Sequence, residues 1–265
     1  MTEKTLNNRK NGMVVLLLLV LAYVASVVLF IFGVSYDILP LTLISCVWFV
    51  FGWIFFLGLK VLKPQEALVL TLFGKYVGTL KNSGFYFVNP FCTAVNPAAG
   101  TKLNQSGDVK VLGAKQPSGG VDVSIDIPTK KISLKIMTLN NNRQKINDCL
   151  GNPVEIGIAV MWRVVDTAKA VFNVDNYKEY LSLQCDSALR NIVRIYPYDI
   201  APNVDTTGDG IADEGSLRGS SEVVAARIKD EIQDKVSEAG IEILEARITY
   251  LAYAPEIAAV MLQRQ

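Results

Sequence analysis

The sharpest chemical signal in the chain is the run Asp205-Thr206-Thr207-Gly208-Asp209-Gly210-Ile211-Ala212-Asp213-Glu214. Oxygen ligands that alternate around a tight glycine bend are what a calcium loop supplies. Asp205, Asp209 and Asp213 would each give one carboxylate. The third position is Thr207 rather than Asp or Asn, however, and the twelfth is Ser216 rather than Glu. The bidentate closing ligand is missing, so an acidic, solvated surface loop is the plainer reading and no metal is expected. A Ser–Lys hydrolase is the other chemistry open to a chain that holds no histidine. No serine sits in a Gly-x-Ser-x-Gly elbow, and Ser118 and Ser220 fall in Gly- and Ser-rich loops. The lack of histidine removes imidazole bases, His triads and His metal ligands. Cys46, Cys92, Cys149 and Cys185 are far apart in sequence, so no zinc or redox pair is read. Lone reduced cysteines fit a cytoplasmic domain. Gly74, Gly84 and Gly100 form no phosphate loop. No catalytic residue and no cofactor are expected.

Whatever chemistry there is must be held beside a membrane. Met13 to Gly33 and Leu41 to Leu59 are two apolar runs, and Asp37 is the one formal charge between Met13 and Leu59. Each run has about the ~20 residues that a helix needs to cross a hydrocarbon core. Backbone groups in lipid must be satisfied within the segment, which selects helix. Gly33, Asp37 and Pro40 mark a tight turn between them. A cleaved signal peptide has a shorter apolar core and a small-residue cleavage site, and neither is found here. Neither run has a polar face, which argues against a buried soluble hairpin. Lys4, Arg9 and Lys10 precede the first run, Lys60 and Lys63 follow the second, and the turn has no Lys or Arg. The positive-inside rule then puts both termini in the cytoplasm. The same basic residues would also attract anionic lipid. Trp48 and Trp53 lie mid-segment, as lipid-facing or packing residues.

Of the 265 residues 51% are hydrophobic, and the net charge is +1. The apolar excess is largely the hairpin, and the near-neutral balance removes the general electrostatic case for nucleic acid. Beyond the membrane, Glu66 to Phe73 reads as a strand, Gly74-Lys75 as a turn, and Tyr76 to Leu80 as the hairpin partner. Gly84 to Val88 is a short aromatic strand ended by Asn89-Pro90. Cys92 to Gly120 is weakly patterned and reads as a long loop or crossover. Strict alternation follows in Val121 to Ile127, in Lys131 to Ile136 and in Val154 to Val165, with Trp162 on the apolar face of the last. Tyr177, Leu181, Cys185, Ala188 and Ile192 have helical spacing, and Pro197 marks the stop. Val224, Ile228, Ile232 and Val236 form a second helical ridge that Gly240 is placed to cap. Leu244, Ala246, Ile248 and Tyr250 alternate as a last strand. From Pro255 the pattern is helical again, through Ala258, Ala259 and Leu262 to the last residue, as though a longer helix continued.

Taken in order, these segments resemble a known family. Val61-Leu62-Lys63-Pro64-Gln65-Glu66 leads from the membrane into a strand that ends in Phe73-Gly74-Lys75. Gly84 to Pro90 gives a glycine–aromatic–proline turn. Pro153 to Asp166 gives a central strand that ends in Arg-Val and an acidic residue. Ser187 to Val193 and Gly240 to Glu256 close the series. Their order and spacing, over roughly residues 60 to 265, resemble the SPFH or Band 7 superfamily of stomatins, prohibitins, flotillins and bacterial relatives. The resemblance implies an α+β fold with a cytoplasmic tail (1–12), a transmembrane helical hairpin (13–59), two small SPFH subdomains (60–120 and 121–254), and the start of a C-terminal stalk helix (255–265). It implies a membrane-anchored scaffold with no catalytic centre. Its partners would be membrane lipids, copies of itself in a ring or cage, and membrane proteins such as proteases, with no nucleic acid. It would be a two-span protein of the cell membrane. The double span, the absence of a long stalk in this sequence and the insertion-like loop Asn203 to Gly219 depart from the pattern. The alternative is a membrane-bound Ser/Lys hydrolase.

Overall fold

The computed structural model describes residues 2–6, 11–103, 109–111, 129–141, 143–199 and 215–258. The fold is α+β, and it divides into two compact units. Residues 2–96 and 130–133 form the first; residues 97–129 and 134–265 belong to the second.

The first unit begins with a helical hairpin. Helix α1 spans Gly12–Ser35 and α2 spans Leu39–Phe51. Pro40 stands in the first turn of α2, where its missing N–H costs nothing. The turn between the helices uses Asp37 at φ 51°, a left-handed conformation that a short polar side chain tolerates. The second apolar run is not one α-helix to its end. At Gly52 it tightens into a 3-10 helix, Gly52–Gly58. Glycine is a poor helix former, and at Gly52 a Cβ would stand 3.0 Å from the Tyr23 hydroxyl. The buried residues of α1 are Gly12, Leu19, Ser26 and Gly33, one stripe at seven-residue intervals. Small residues along such a stripe let two helices approach closely in lipid. The buried Ser26 hydroxyl donates to Tyr23 O at 2.8 Å, and that of Ser45 donates to Leu41 O and Thr42 O, so each is satisfied on its own helix.

The chain enters the sheet region without a linker. Strand β1 (Leu59–Leu62) follows Gly58 directly, then come β2 (Glu66–Leu72), β3 (Lys75–Leu80), β4 (Gly84–Phe87) and β5 (Cys92–Ala94). β1 pairs antiparallel with β4, while β2 pairs with both β3 and β5. Phe73 and Gly74 take positive φ between β2 and β3, as a two-residue hairpin turn requires. Leu62, Leu68, Leu70, Leu80, Tyr86 and Val88 pack into one buried cluster. Ile132–Ser133 returns to pair with the start of β2. There the Lys131 ammonium, 2.8 Å from Glu66, holds that carboxyl below the usual carboxylate range.

In the second unit β6 (Met137–Asn140) and β7 (Gln144–Asn147) both pair with one edge of the long β8 (Pro153–Val164). Helices α3 (Thr167–Phe172), α4 (Tyr177–Val193) and α5 (Ser221–Val236) follow, and β9 (Ile241–Tyr253) pairs antiparallel with the other edge of β8. The alternation read in β8 is the alternation of burial: Val154, Ile156, Ile158, Val160, Trp162 and Val164 are all inside. The α5 ridge of Val224, Ile228, Ile232 and Val236 is fully buried too. Asp166 caps α3 by accepting from Lys169 N–H, and Asn176 caps α4 by accepting from Lys178 and Glu179 N–H.

Three expectations change. The stretch Lys131 to Ile136 is not one strand. Its first part joins β2, the chain bends at Lys135, Ile136 is exposed, and β6 starts at Met137. Three alternating residues satisfy a period of two whichever sheet they join, so the pattern does not reveal the exchange. The segment from Cys92 holds strands rather than only loop: β5 is one, and Thr101–Leu103 pairs with Val109–Val111. The last strand is longer than read, since β9 begins at Ile241 and ends at Tyr253. The strand read at Val121 to Ile127 lies outside the described residues, as does most of the Asn203 to Gly219 loop. From Pro255 the chain is helical through Ala258, and the residues after it lie outside the described set.

Candidate functional site

The candidate site is a surface, and the hairpin supplies it. Leu17, Leu21, Val24, Ile31, Ile44, Phe49 and Trp53 all point outward and are more than half exposed. Both apolar helices, Gly12–Ser35 and Leu39–Gly58, are long and apolar enough to cross a membrane. Contiguous apolar surface of this extent is not stable against water and calls for a lipid or protein cover. Trp48 is half-buried and stacks on Phe55, while Trp53 faces outward.

The hairpin is seated firmly in the first unit. Val88 N–H donates to Gly58 O at 2.9 Å, and a Cβ on Gly12 would stand 2.8 Å from Phe85. The segment before α1 is held as well. Leu6 N–H donates to Thr79 O and Thr79 N–H to Lys4 O, so residues 4–6 run along β3. Lys81 pairs with Glu3 at 2.6 Å. The chain on either side of the hairpin is therefore joined in one hydrogen-bonded body.

The chemical candidates that lie among the described residues do not come together. Asp205, Asp209 and Asp213 lie outside the described residues, as does Ser118. Ser216, the twelfth position of the calcium-like run, is buried, and its hydroxyl accepts from Gly219 N–H at 2.9 Å, which makes it a turn former. Ser220 immediately precedes α5. Cys92 is buried in the first unit and Cys185 in the second, and burial pushes both thiols up. Cys46 and Cys149 are exposed, and all four are free thiols. Lys178 is half-buried, which pulls its ammonium down, but it donates to Ala98 O and Thr101 O rather than to a serine.

A Ser–Lys contact that sequence reasoning missed joins α4 to α5. Lys235 Nζ lies 3.4 Å from the Ser187 hydroxyl. The same ammonium pairs with Glu231 at 2.9 Å, and Glu231 also accepts from Asn191. These two donors hold the Glu231 carboxyl below its usual range. Ser187 sits mid-helix, not in a strand–turn–helix elbow, so the group works as a clamp between helices. Arg190, in the last turn of α4, and Arg194, the residue that caps its end, line a polar cleft with Lys145. Lys145 is paired with Glu256, and Arg190 donates to Gln144.

A family model described as SPFH domain / Band 7 family matches residues 60–265. Among curated proteins no sequence matches the chain.

Proposed function

We propose, for a chain that belongs to the SPFH domain / Band 7 family, that it is a two-span, membrane-anchored scaffold which homo-oligomerises in the plane of the bilayer. The family points to a membrane-associated scaffold role in general. The finer reading is that assemblies of this chain organise membrane microdomains or regulate partner membrane proteins such as proteases. The observation that carries it is the apolar hairpin continuing into the first β unit without a linker, which ties the domain to the membrane surface. Confinement of many copies in one plane raises their effective concentration, so weak lateral contacts suffice for assembly. The hydrolase reading has less support, because Lys235 is committed to Glu231 and Ser187 lies within a helix.

Topology is the first test. Residues 4–6 run along β3, which supports one side of the membrane for the tail and the domain alike. The basic flanks make that side the cytoplasm. A cysteine placed at Ser35, in the connecting turn, is expected to react with an impermeant reagent added to intact cells. One placed at Lys75 is expected to stay unlabelled until the cells are opened. Equal labelling of both would refute the hairpin topology.

Assembly is the second. Detergent- or nanodisc-solubilised full-length protein is expected to form homo-oligomers by mass photometry. Removal of residues 255–265 is expected to reduce their size or stability. A strictly monomeric protein at micromolar concentration would sink the scaffold reading and raise the hydrolase one.

A further inference from the structure

The outer edge of the second unit's sheet is built to receive another strand. Among the described residues, β9 pairs with β8 on one side only. Beside its other edge runs a groove of about 520 Å³, walled by α5 and by five consecutive residues, Leu244 to Ile248. Where the edge is covered, it is covered in a strand-like way. Gln233 on α5 donates through Nε2 to Ile241 O at 3.2 Å and accepts from Ile243 N–H at 2.7 Å through Oε1. Its side-chain amide thus does what a neighbouring strand's backbone would do. Further along, the α5 wall offers Ala225 and Ala226, whose side chains carry no hydrogen-bonding group. An open strand edge of this kind is a template for another chain.

The residues along the edge specify which chain. About Ala246, the strand reads Leu244-Glu245-Ala246-Arg247-Ile248. β9 bulges at Leu244, where its register against β8 shifts, and runs regularly from Glu245 to Ile248. In an antiparallel pair of two such strands centred on Ala246, Glu245 faces Arg247 and Ala246 faces Ala246. Opposite charges meet twice, and the smallest side chain stands on the axis. Leu244 and Ile248 are half-buried and Arg247 is exposed, so apolar and charged surface is available to a second strand. In the free chain Glu245 and Arg247 pair with each other along the strand. The α5 wall has the same symmetry: Glu222, Ala225, Ala226 and Lys229 put Glu opposite Lys and Ala opposite Ala under a two-fold rotation. A self-complementary patch is what an isologous contact requires. We infer that β9 pairs antiparallel with β9 of a second copy of this chain, joining two sheets into one across a two-fold axis at Ala246.

The inference rests on the homo-oligomer reading above and names one of its contacts. The test uses charge reversal in the full-length, detergent-solubilised chain, read by mass photometry. Glu245→Arg puts Arg opposite Arg, and Arg247→Glu puts Glu opposite Glu; each alone is expected to weaken dimerisation at least tenfold. An equal mixture of the two variants is expected to recover pairing, as is the double variant Glu245→Arg/Arg247→Glu, because both restore opposite charges. Chains carrying Glu245→Cys are expected to form a disulfide with chains carrying Arg247→Cys on mild oxidation. If the protein assembles but ignores the single reversals, the edge contact is refuted while the scaffold reading stands. If the reversals weaken assembly and neither the mixture nor the double variant restores it, something other than a second β9 lies in the groove, and the inference falls. Dimers that respond to reversal but never grow beyond two uphold the edge contact and refute the ring or cage.

Discussion

Trp162→Ala is expected to cost about 3–5 kcal/mol, the range for deleting a buried aromatic side chain. That is a large part of the roughly 5–15 kcal/mol by which domains are stable. Trp162 is 1% exposed on β8 and meets Tyr177 of α4 edge-on, with ring centroids 6.3 Å apart. The side chain therefore holds the sheet and the helix layer together, and alanine leaves a cavity that β-strand backbone cannot close. The indole N–H is buried with no hydrogen-bond partner among the described residues. An orphaned donor costs about 1–3 kcal/mol, so Trp162→Phe removes a penalty while it keeps most of the packing. The phenylalanine variant is expected to unfold much closer to wild type than the alanine variant. Denaturant titration of the full-length protein in detergent measures both. A near-wild-type midpoint for Trp162→Ala would show that the side chain is not part of the core.

The second large effect belongs to Gly240. It takes φ +66° at the end of the helical segment after α5, and its carbonyl accepts from both Val165 and Asp166 N–H, at 2.9 and 3.1 Å. A Cβ here would stand 2.3 Å from the carbonyl oxygen of Asp166. Gly240→Ala therefore meets two costs: about 1–2 kcal/mol for a left-handed L residue and about 1–3 kcal/mol for overpacking against backbone. The sum, roughly 2–5 kcal/mol, separates a close approach from an ordinary cap. Asparagine tolerates left-handed φ and is a common substitute in caps, but it too has a Cβ. Gly240→Asn is expected to be nearly as destabilising as Gly240→Ala. Gly74 is the control, since at φ +82° a Cβ there would have nothing within 4 Å of it. Gly74→Asn is expected to cost no more than about 1 kcal/mol. Equal behaviour at the two sites in thermal unfolding would mean that conformation alone, not contact with Asp166, governs Gly240.

The candidate site was only partly legible in the chain. The lipid-facing surface was, because a long apolar run carries its own signal. The Ser187–Lys235–Glu231 clamp was not, since its members come from two helices and Ser187 lies 48 residues from Lys235. Serine and lysine are common on helix surfaces, and nothing in their local spacing announces a contact. The edge of β9 was half legible. The strand itself was plain, but its register against β8 shifts at Leu244 and Thr249. Ile241, Ile243, Ala246 and Ile248 therefore face inward in place of the strict alternation from Leu244 to Tyr250. Periodicity is also the same whether a strand is central or at an edge.

The amino-acid sequence by itself determined what depends on neighbours along the chain: the two apolar runs, the faces of β8, the α4 and α5 stripes, and the glycine that ends the helical segment after α5. Each is a matter of period or of a single residue's allowed φ and ψ, so a short window contains the information. Only the tertiary structure decided partners. β1 pairs with β4, the Lys131 to Ile136 stretch divides between two sheets, residues 4–6 lie along β3, and β9 has a strand partner on one side only among the described residues. Strand pairing is made by backbone groups that every residue carries alike, so the choice among possible neighbours falls to burial and chain closure over the whole unit.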